Sequence, residues 1–338
     1  MAKRTTMNVI SKSPNLSKSC IPKTNSDKSG ENRSSKEHEF ETNSKLNESL
    51  PVTHKSERGK RPQNITLVMN REAFLNAIFW VKIIDRLENE LKRYNITMTI
   101  SVTEYEKGQY VPIENNKTDG YIILGLVEKN ILQEIENKNL PIFLLDYKYL
   151  DSSHDHIRMN NHLGMKYMTE LILKKGHRDI LFMGDLDFAA SIKERYLGIK
   201  DCLDEHPEFE TTLDQLLVTK GLKSIEERDL LLEKVRQPHG PTILVGANDM
   251  IALESINVLK KARIKVPEEI SVVGFDNISE SNFAEPKLTT ADVPKIDLAV
   301  LTVETIIKRF ENLNKANLLI MIEPKIINRD SLIERRVK

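Results

Sequence analysis

From Asn64 onward, short apolar runs alternate with stretches in which apolar residues recur every three or four positions. Residues 65–69, 96–102, 121–126 and 141–146 read as strands, and 74–94 reads as one amphipathic helix between the first two. A second series follows, with a helix over 163–175, a strand over 179–183 and a helix over 189–204. Next comes a strand over 242–245, bounded by Gly240-Pro241 and Gly246. Asn248 stands at the N-cap of the helix that follows, Asp249 complements its dipole, and Ile251, Ala252, Ile256, Val258 and Leu259 keep helical spacing to about Ala262. A strand over 270–275 closes a βαβ unit, and a helix over 295–310 comes later. Alternating strands and helices predict an α/β fold: two doubly wound parallel sheets covered on both faces. Ligands of such sheets bind at the carboxyl ends of the strands, where Asn248-Asp249 and Asp276-Asn277 fall.

The string GANDMIALESINVLKKARIKVPEEISVVGFDN over 246–277, with Pro286 and Leu288-Thr289-Thr290 after it, resembles the effector-binding core of the lactose-repressor/galactose-repressor family of bacterial transcriptional regulators. Asp146 after an apolar strand, Asn161-His162-Leu163-Gly164, Gly176-His177-Arg178 and Glu194-Arg195-Tyr196-Leu197-Gly198 extend the resemblance to about residues 61–338. It implies a type I periplasmic-binding-protein-like core of two lobes joined by three crossovers. One lobe is 61–160 plus 291–318 and the other 161–290 plus 319–338, with crossings back near Thr289 and Leu318. It also implies that Asp146, Arg195, Asn248 and Asp276 contact a small effector, that the protein is a homodimer, and that an operator DNA is its partner.

A cleft for a sugar or related metabolite needs carboxylates, amides and a few apolar faces. Phe79 and Trp80, with Phe74, are candidates for the apolar wall. Each residue also has a plainer reading: Asn248 as a helix cap, Arg195 as a surface pair with Glu194 or Asp201, and Phe79 and Trp80 as core.

Composition narrows the partners. The 338 residues hold 50 Lys and Arg against 50 Asp and Glu, so no global charge draws the chain to nucleic acid or anionic membrane, and any DNA contact must be local. Cys20 and Cys202 are the only cysteines, which indicates no disulfide framework. The longest apolar run, 318–322, is too short to span a bilayer, and no apolar stretch follows Lys3 and Arg4, so a cytoplasmic protein is expected. His154-Asp155-His156 would put two imidazoles on one face of an extended segment, but no third ligand stands nearby; a solvated connector is expected, and no metal. Phosphate-loop and nucleophile-elbow motifs are missing, so neither a catalytic residue nor a cofactor is assigned and an enzyme is not expected.

Residues 1–60 differ in kind. They are rich in Ser, Lys and Asn and nearly free of aromatics, and read as a mostly disordered segment or a degenerate helix-turn-helix with its linker. In the family this length carries the DNA-binding head. Asn15-Leu16-Ser17-Lys18-Ser19-Cys20-Ile21-Pro22-Lys23 falls where the recognition helix is expected, so that Ser17, Lys18, Ser19 and Lys23 would reach bases or phosphates. Pro22 would remove a backbone hydrogen bond inside that helix and costs about 3 kcal/mol. Two functions therefore stand: a ligand-responsive DNA-binding regulator, and a ligand-binding module without DNA binding of its own.

Overall fold

The computed structural model describes residues 61–75, 79–103, 105–106, 109–110, 117–147, 149, 153–219 and 221–335. Two six-stranded sheets organise the described chain.

The first sheet has the order β13-β7-β6-β5-β1-β2. Its strands are β1 (Asn64–Asn70), β2 (Thr97–Thr103), β5 (Gly120–Leu124), β6 (Ile142–Leu145), β7 (Asp155–Met159) and β13 (Leu319–Ile322), and every pairing is parallel. A two-stranded ribbon, β3 (Tyr105–Glu106) and β4 (Gln109–Tyr110), follows β2. Leu67, Ile122, Phe143 and Ile157 are fully buried, because the sheet is covered on both faces and alternation gives way to continuous apolar runs. The helix expected over 74–94 is instead two helices, α1 (Arg71–Leu75) and α2 (Val81–Arg93), with Phe79-Trp80 in the turn before α2. Periodicity is blind to such a break, since Phe79 and Trp80 continue the apolar spacing while both pack on the core. Helix α3 is Lys129–Glu136.

The second sheet runs β14-β12-β11-β10-β8-β9. It contains β8 (Asp179–Met183), β9 (Thr212–Leu216), β10 (Ile243–Gly246), β11 (Ser271–Asp276), β12 (Thr289–Asp292) and the antiparallel β14 (Lys325–Ile327). Its helices are α4 (Asn161–Lys174), α5 (Ala190–Glu205), α6 (Ile225–Val235), α7 (Asp249–Lys261) and the short α8 (Ser279–Phe283). The last helix, α9 (Lys295–Glu311), packs on α2 and on strands β6 and β7 of the first sheet.

The chain passes between the sheets three times: from β7 into α4, from β12 into α9, and from β13 into β14. The second passage lies beyond Asp292 rather than near Thr289. The third lies beyond Ile322 rather than near Leu318, because Leu319–Ile322 first extends the first sheet beside β7. Asn160 N–H donates to the Ile322 carbonyl at 2.9 Å and ties two of these passages together. Gly164 lies against them. A Cβ there would stand 2.3 Å from Pro324 Cγ and 3.0 Å from the Phe275 ring, so no larger residue fits.

The segment expected to be a solvated connector is buried. Asp155 and His156 belong to β7, with Asp155 2% and His156 5% exposed. Asp155 accepts from Arg309 Nε at 2.7 Å and Nη2 at 2.8 Å, while the same guanidinium binds the carbonyls of Leu313, Lys315 and Ala316 and shapes the loop into β13. Its polar composition concealed a strand whose charge is neutralised from a residue 154 positions away. Burial lowers the His156 pKa to about 4, with Arg158 adding to the shift. Among the described residues no group of three or more His, Cys, Asp or Glu is placed to hold a metal ion, and no helix is long and apolar enough to cross a membrane.

Candidate ligand-binding cleft

Arg195 touches the carboxyl ends of strands in the second sheet, and its charge also acts on Asp146 at the carboxyl end of β6 in the first. It lies in the second turn of α5, 6% exposed, with its guanidinium plane 3.9 Å from the centre of the Phe275 ring. Nε donates to Asn161 Oδ1 at 2.9 Å, Nη1 to the Ala247 carbonyl at 2.6 Å, and Nη2 to Asp276 Oδ1 at 3.2 Å. The surface-pair alternative is thereby excluded: Glu194 pairs instead with Arg158, at 2.8 and 2.5 Å, and Asp201 with His162 at 2.7 Å. The planar fork reaches three acceptors from three separate nitrogens, a span that the single nitrogen of an ammonium does not offer.

Asp276 ends β11 with φ 114°, and Asn277 follows at φ 46°. Side chains rarely adopt such backbone, and here both ends of Asp276 are held: Arg195 takes its carboxylate and Lys295 Nζ donates to its carbonyl. Asn277 is fixed in turn by Arg329 Nη2 at 2.7 Å and by its own amide on Asp292 Oδ1 at 2.8 Å. Asp146 ends β6 in the same way, with φ 46°. Burial pushes its pKa up, against Arg195, Arg158 and a hydrogen bond from Met159 N–H. Burial also raises Asp276, with Asp146 adding to the rise and Arg195 and Lys295 opposing it. The two carboxylates, from different sheets, thus sense each other across one space.

Asn248 fulfils its plain reading: its Oδ1 accepts the Ile251 N–H at 2.9 Å as the cap of α7. That role uses its oxygen and leaves the amide nitrogen as a donor at the cleft. Phe79 and Trp80 form an edge-on pair, ring centres 4.6 Å apart. Trp80 lies over Gly125 at the end of β5, where a Cβ would come within 2.8 Å of the indole. Both aromatics pack on the core while staying partly exposed, so the two readings of them coexist. Phe74 is 47% exposed. Ser17, Lys18, Ser19 and Lys23 lie outside the described residues.

Several residues of the cleft were not anticipated. Lys295, 7% exposed, reaches from the start of α9 to the carbonyls of Asp276 and Asn277, with its ammonium 5.1 Å from the Phe79 ring. A lysine opening a helix opposes the helix dipole, and that was the available signal. Asp249 was read as a dipole partner, yet it is fully buried and accepts from Ile278 N–H at 3.0 Å, Ser281 Oγ at 2.5 Å and Thr290 Oγ1 at 2.6 Å. Burial, reinforced by Asp276, raises its pKa to about 7 against those hydrogen bonds. Arg158 and Asn161 complete the polar belt, and only Asn161 stood in a recognisable motif.

A cavity of about 580 Å³ opens elsewhere, at the amino ends of β8 and β10, lined by His177, Arg178, Asp179, Thr242, Glu268 and Arg335 among others. It lies away from every strand carboxyl end, and His177 within it is held by Thr242 and the Ile333 carbonyl.

Two parallel sheets joined by three passages, with polar groups converging at strand carboxyl ends, define a type I periplasmic-binding-protein-like core. A family model described as a periplasmic binding protein-like domain matches residues 169–332. The chain is 26% identical over 263 residues to the HTH-type transcriptional repressor PurR of Vibrio atlanticus, covering 75% of this chain and 78% of that protein. It is 28% identical over 269 residues to the same-named repressor of Aliivibrio salmonicida, again 75% and 78%. Among solved structures, a LacI-family regulator from Enterococcus faecium with bound ribose superimposes with TM-score 0.67 at 20% identity, over 81% of this chain and 100% of that one. A ribose operon repressor protein from Lactobacillus acidophilus gives 0.65 at 22%, over 81% and 99%. The chain is thus similar to periplasmic binding protein-like domains, to PurR-type repressors and to LacI-family regulators.

Proposed function

We propose that this chain is a cytoplasmic, homodimeric transcriptional regulator, a repressor, whose core senses a small sugar or related metabolite. The observation that carries this reading is the placement of Arg195. It is braced by Asn161 and the Ala247 carbonyl, paired with Asp276, and close enough to Asp146 for its charge to oppose the rise that burial causes in that group's pKa. Carboxylates and amides from both sheets then converge with the Phe79-Trp80 pair, the chemistry that hydroxyl-rich ligands require. Related solved structures hold ribose, which supports the ligand class.

In this reading 61–160 with the returning segment beyond Asp292 form one lobe, and 161–292 with the C-terminal segment form the other. Asp146, Phe79 and Trp80 contact the ligand from the first, and Arg195, Asn248 and Asp276 from the second. A ligand with different affinity for the open and closed lobes shifts their balance and changes the spacing of two N-terminal heads on an operator. Ser17, Lys18, Ser19 and Lys23 are the proposed DNA-contacting residues. No catalytic step is assigned to the cleft.

The deciding experiment is salt-dependent binding of the full chain, beside a version beginning at Asn64, to DNA from upstream of its own coding region. Unrelated DNA serves as competitor. The regulator reading expects competitor-resistant binding by the full chain only, altered by a sugar ligand. Weak and equal binding by both overturns it in favour of a ligand module without DNA recognition, the outcome that Pro22 in the expected recognition helix favours.

A further inference from the structure

The cleft gathers three carboxylates, Asp146, Asp249 and Asp276, and the field of each of the outer two raises the pKa of Asp249 or Asp276 in turn. Arg195 and Lys295 both reach Asp276, one at its carboxylate and the other at its carbonyl. The cations that act on Asp146 are Arg195 from α5 and Arg158 from β7. Arg158 is 3% exposed. Its two terminal nitrogens both go to Glu194, at 2.8 and 2.5 Å, while its Nε is buried without a hydrogen-bond partner among the described residues. Glu194 also accepts from Asn161 Nδ2 at 3.4 Å, which turns the Asn161 oxygen toward Arg195 Nε at 2.9 Å.

We infer that Arg158 is a positioning residue for the cleft: it orients Arg195 through Glu194 and Asn161, and from the neighbouring strand it keeps Asp146 an acceptor. The inference rests on the cleft being the effector site and names what holds that site in order. Stability alone does not account for a buried arginine with an unserved nitrogen, since an apolar pair of similar volume is often no less stable than a buried ion pair. The first effect runs through an amide. With Glu194 anchored, Asn161 must offer its oxygen to Arg195; with Glu194 released, the reversed amide would turn N–H groups on a guanidinium that accepts nothing. The second effect is on Asp146, whose N–H donates to the Ile157 carbonyl at 2.9 Å and whose carboxylate accepts the Met159 N–H, so that it is pinned to β7 on either side of Arg158. Burial favours the protonated form of Asp146, while Arg195, Arg158 and the Met159 N–H oppose it, and Asp276 is the carboxylate that faces it. Without Arg158 the proton is held to higher pH, and the ionised acceptor is present only above that higher value.

The test pairs carbon-13 titration of the Asp146 carboxyl, assigned by its loss in Asp146→Asn, with calorimetric titration of the full chain with ribose from about pH 5 to 8. Arg158→Met is expected to raise the Asp146 midpoint by about one pH unit or more and to move the acid loss of ribose binding upward with it. At the alkaline end it should still weaken ribose roughly tenfold, through the freed Asn161. Arg158→Lys keeps the charge and should keep the midpoint. Combining Arg158→Met with Glu194→Gln leaves no carboxylate unpaired and still offers Asn161 an acceptor. Thermal unfolding and alkaline affinity should then recover while the Asp146 midpoint stays above that of the unaltered chain. If the midpoint recovers as well, or is unmoved by Arg158→Met, the inference is overturned and the cleft reading stands. A raised midpoint with ribose affinity and its pH profile unchanged places Asp146 outside the ligand site. In that case, or if ribose does not bind the unaltered chain, the cleft reading fails and this inference with it.

Discussion

Arg195 Nη2 lies 3.2 Å from Asp276 Oδ1, and this contact fixes the end of β11 to the second turn of α5. The same guanidinium holds Asn161 at the start of α4 and the Ala247 carbonyl before α7, so one side chain sets the mutual positions of four elements around the cleft. Arg195→Lys retains the charge but presents its donors from one nitrogen, which cannot span the positions that Nε, Nη1 and Nη2 occupy. Loss of buried, charge-assisted bonds of this kind costs about 3 kcal/mol. The expected outcome is a lower urea midpoint, of that magnitude in unfolding free energy, together with loss of the ligand-induced thermal shift. Unchanged unfolding with a normal ligand response would show that Arg195 neither braces nor binds.

Asp249 makes a prediction about pH. Its pKa is raised to about 7 in the fold, against about 3.9 for an unfolded Asp. The folded chain therefore holds this proton more tightly, and the contribution of Asp249 to stability is greatest below about pH 4 and declines as pH rises toward 7. His156 and His177 act in the opposite sense. Each is held to about 4 by burial, so their contribution is present above the unfolded value of about 6.5 and is lost as pH falls toward 4. The two effects overlap, so the wild-type curve alone does not separate them. The difference between wild type and Asp249→Asn does: between pH 4 and 7 the variant should gain on the wild type by up to about 1.4 kcal/mol per pH unit. Asn can keep the Ile278 and Ser281 bonds with its oxygen while Thr290 accepts from its nitrogen. A difference that does not vary with pH would mean that Asp249 is ionised throughout.

The second half of this fold was legible because its strands are buried on both faces and announce themselves as apolar runs. Ile180 to Met183, Leu244 and Val272 to Phe275 need no partner information to be placed. The Asn248 cap could be read locally, since a cap depends only on residues within one turn. Strand β7 could not. Asp155 is tolerable in a sheet only because Arg309 meets it from α9, a relation that spans 154 positions and leaves no local trace. Edge strand β9 and helix α6 went unread for a different reason. Thr212 to Leu216 alternates exposed and half-buried positions with Asp214 and Gln215 in it, and α6 carries Glu, Arg and Asp among its leucines. In the cleft, Arg195 and Asp276 were found through motif strings, whereas Lys295 and Arg158 matter through what they face across the passages between sheets.

Gly198 tests the packing that positions Arg195. A Cβ at this point of α5 would lie 2.2 Å from the His162 carbonyl oxygen and 3.2 Å from Lys166 N, both backbone atoms of α4. Backbone cannot give way as a flexible side chain does, so Gly198→Ala must push the two helices apart. The expected cost is about 1–3 kcal/mol in unfolding free energy, and because Arg195 stands one turn away, ligand affinity should fall with it. Wild-type stability in Gly198→Ala would show that the two helices are not in such close contact.

The proposed homodimer can be tested at Phe283. This side chain is 82% exposed at the end of α8, and Met250, 50% exposed, lies at the start of the neighbouring helix, since Ser281 of α8 hydrogen-bonds Asp249 of α7. A phenylalanine in such a position stabilises the single chain little but is worth about 2 kcal/mol when it fills a pocket on a partner. Phe283→Asp should therefore leave thermal unfolding of the monomer nearly unchanged while raising the dimer dissociation constant roughly thirtyfold. Sedimentation of the full chain across a range of concentrations reads this directly. Weakened self-association should weaken operator binding as well, because two heads joined by a dimer bind with an effective concentration that a single head lacks. If Phe283→Asp sediments as the unaltered chain does, this face is not the contact between copies; if the unaltered chain is monomeric at tens of micromolar, the homodimer itself is wrong.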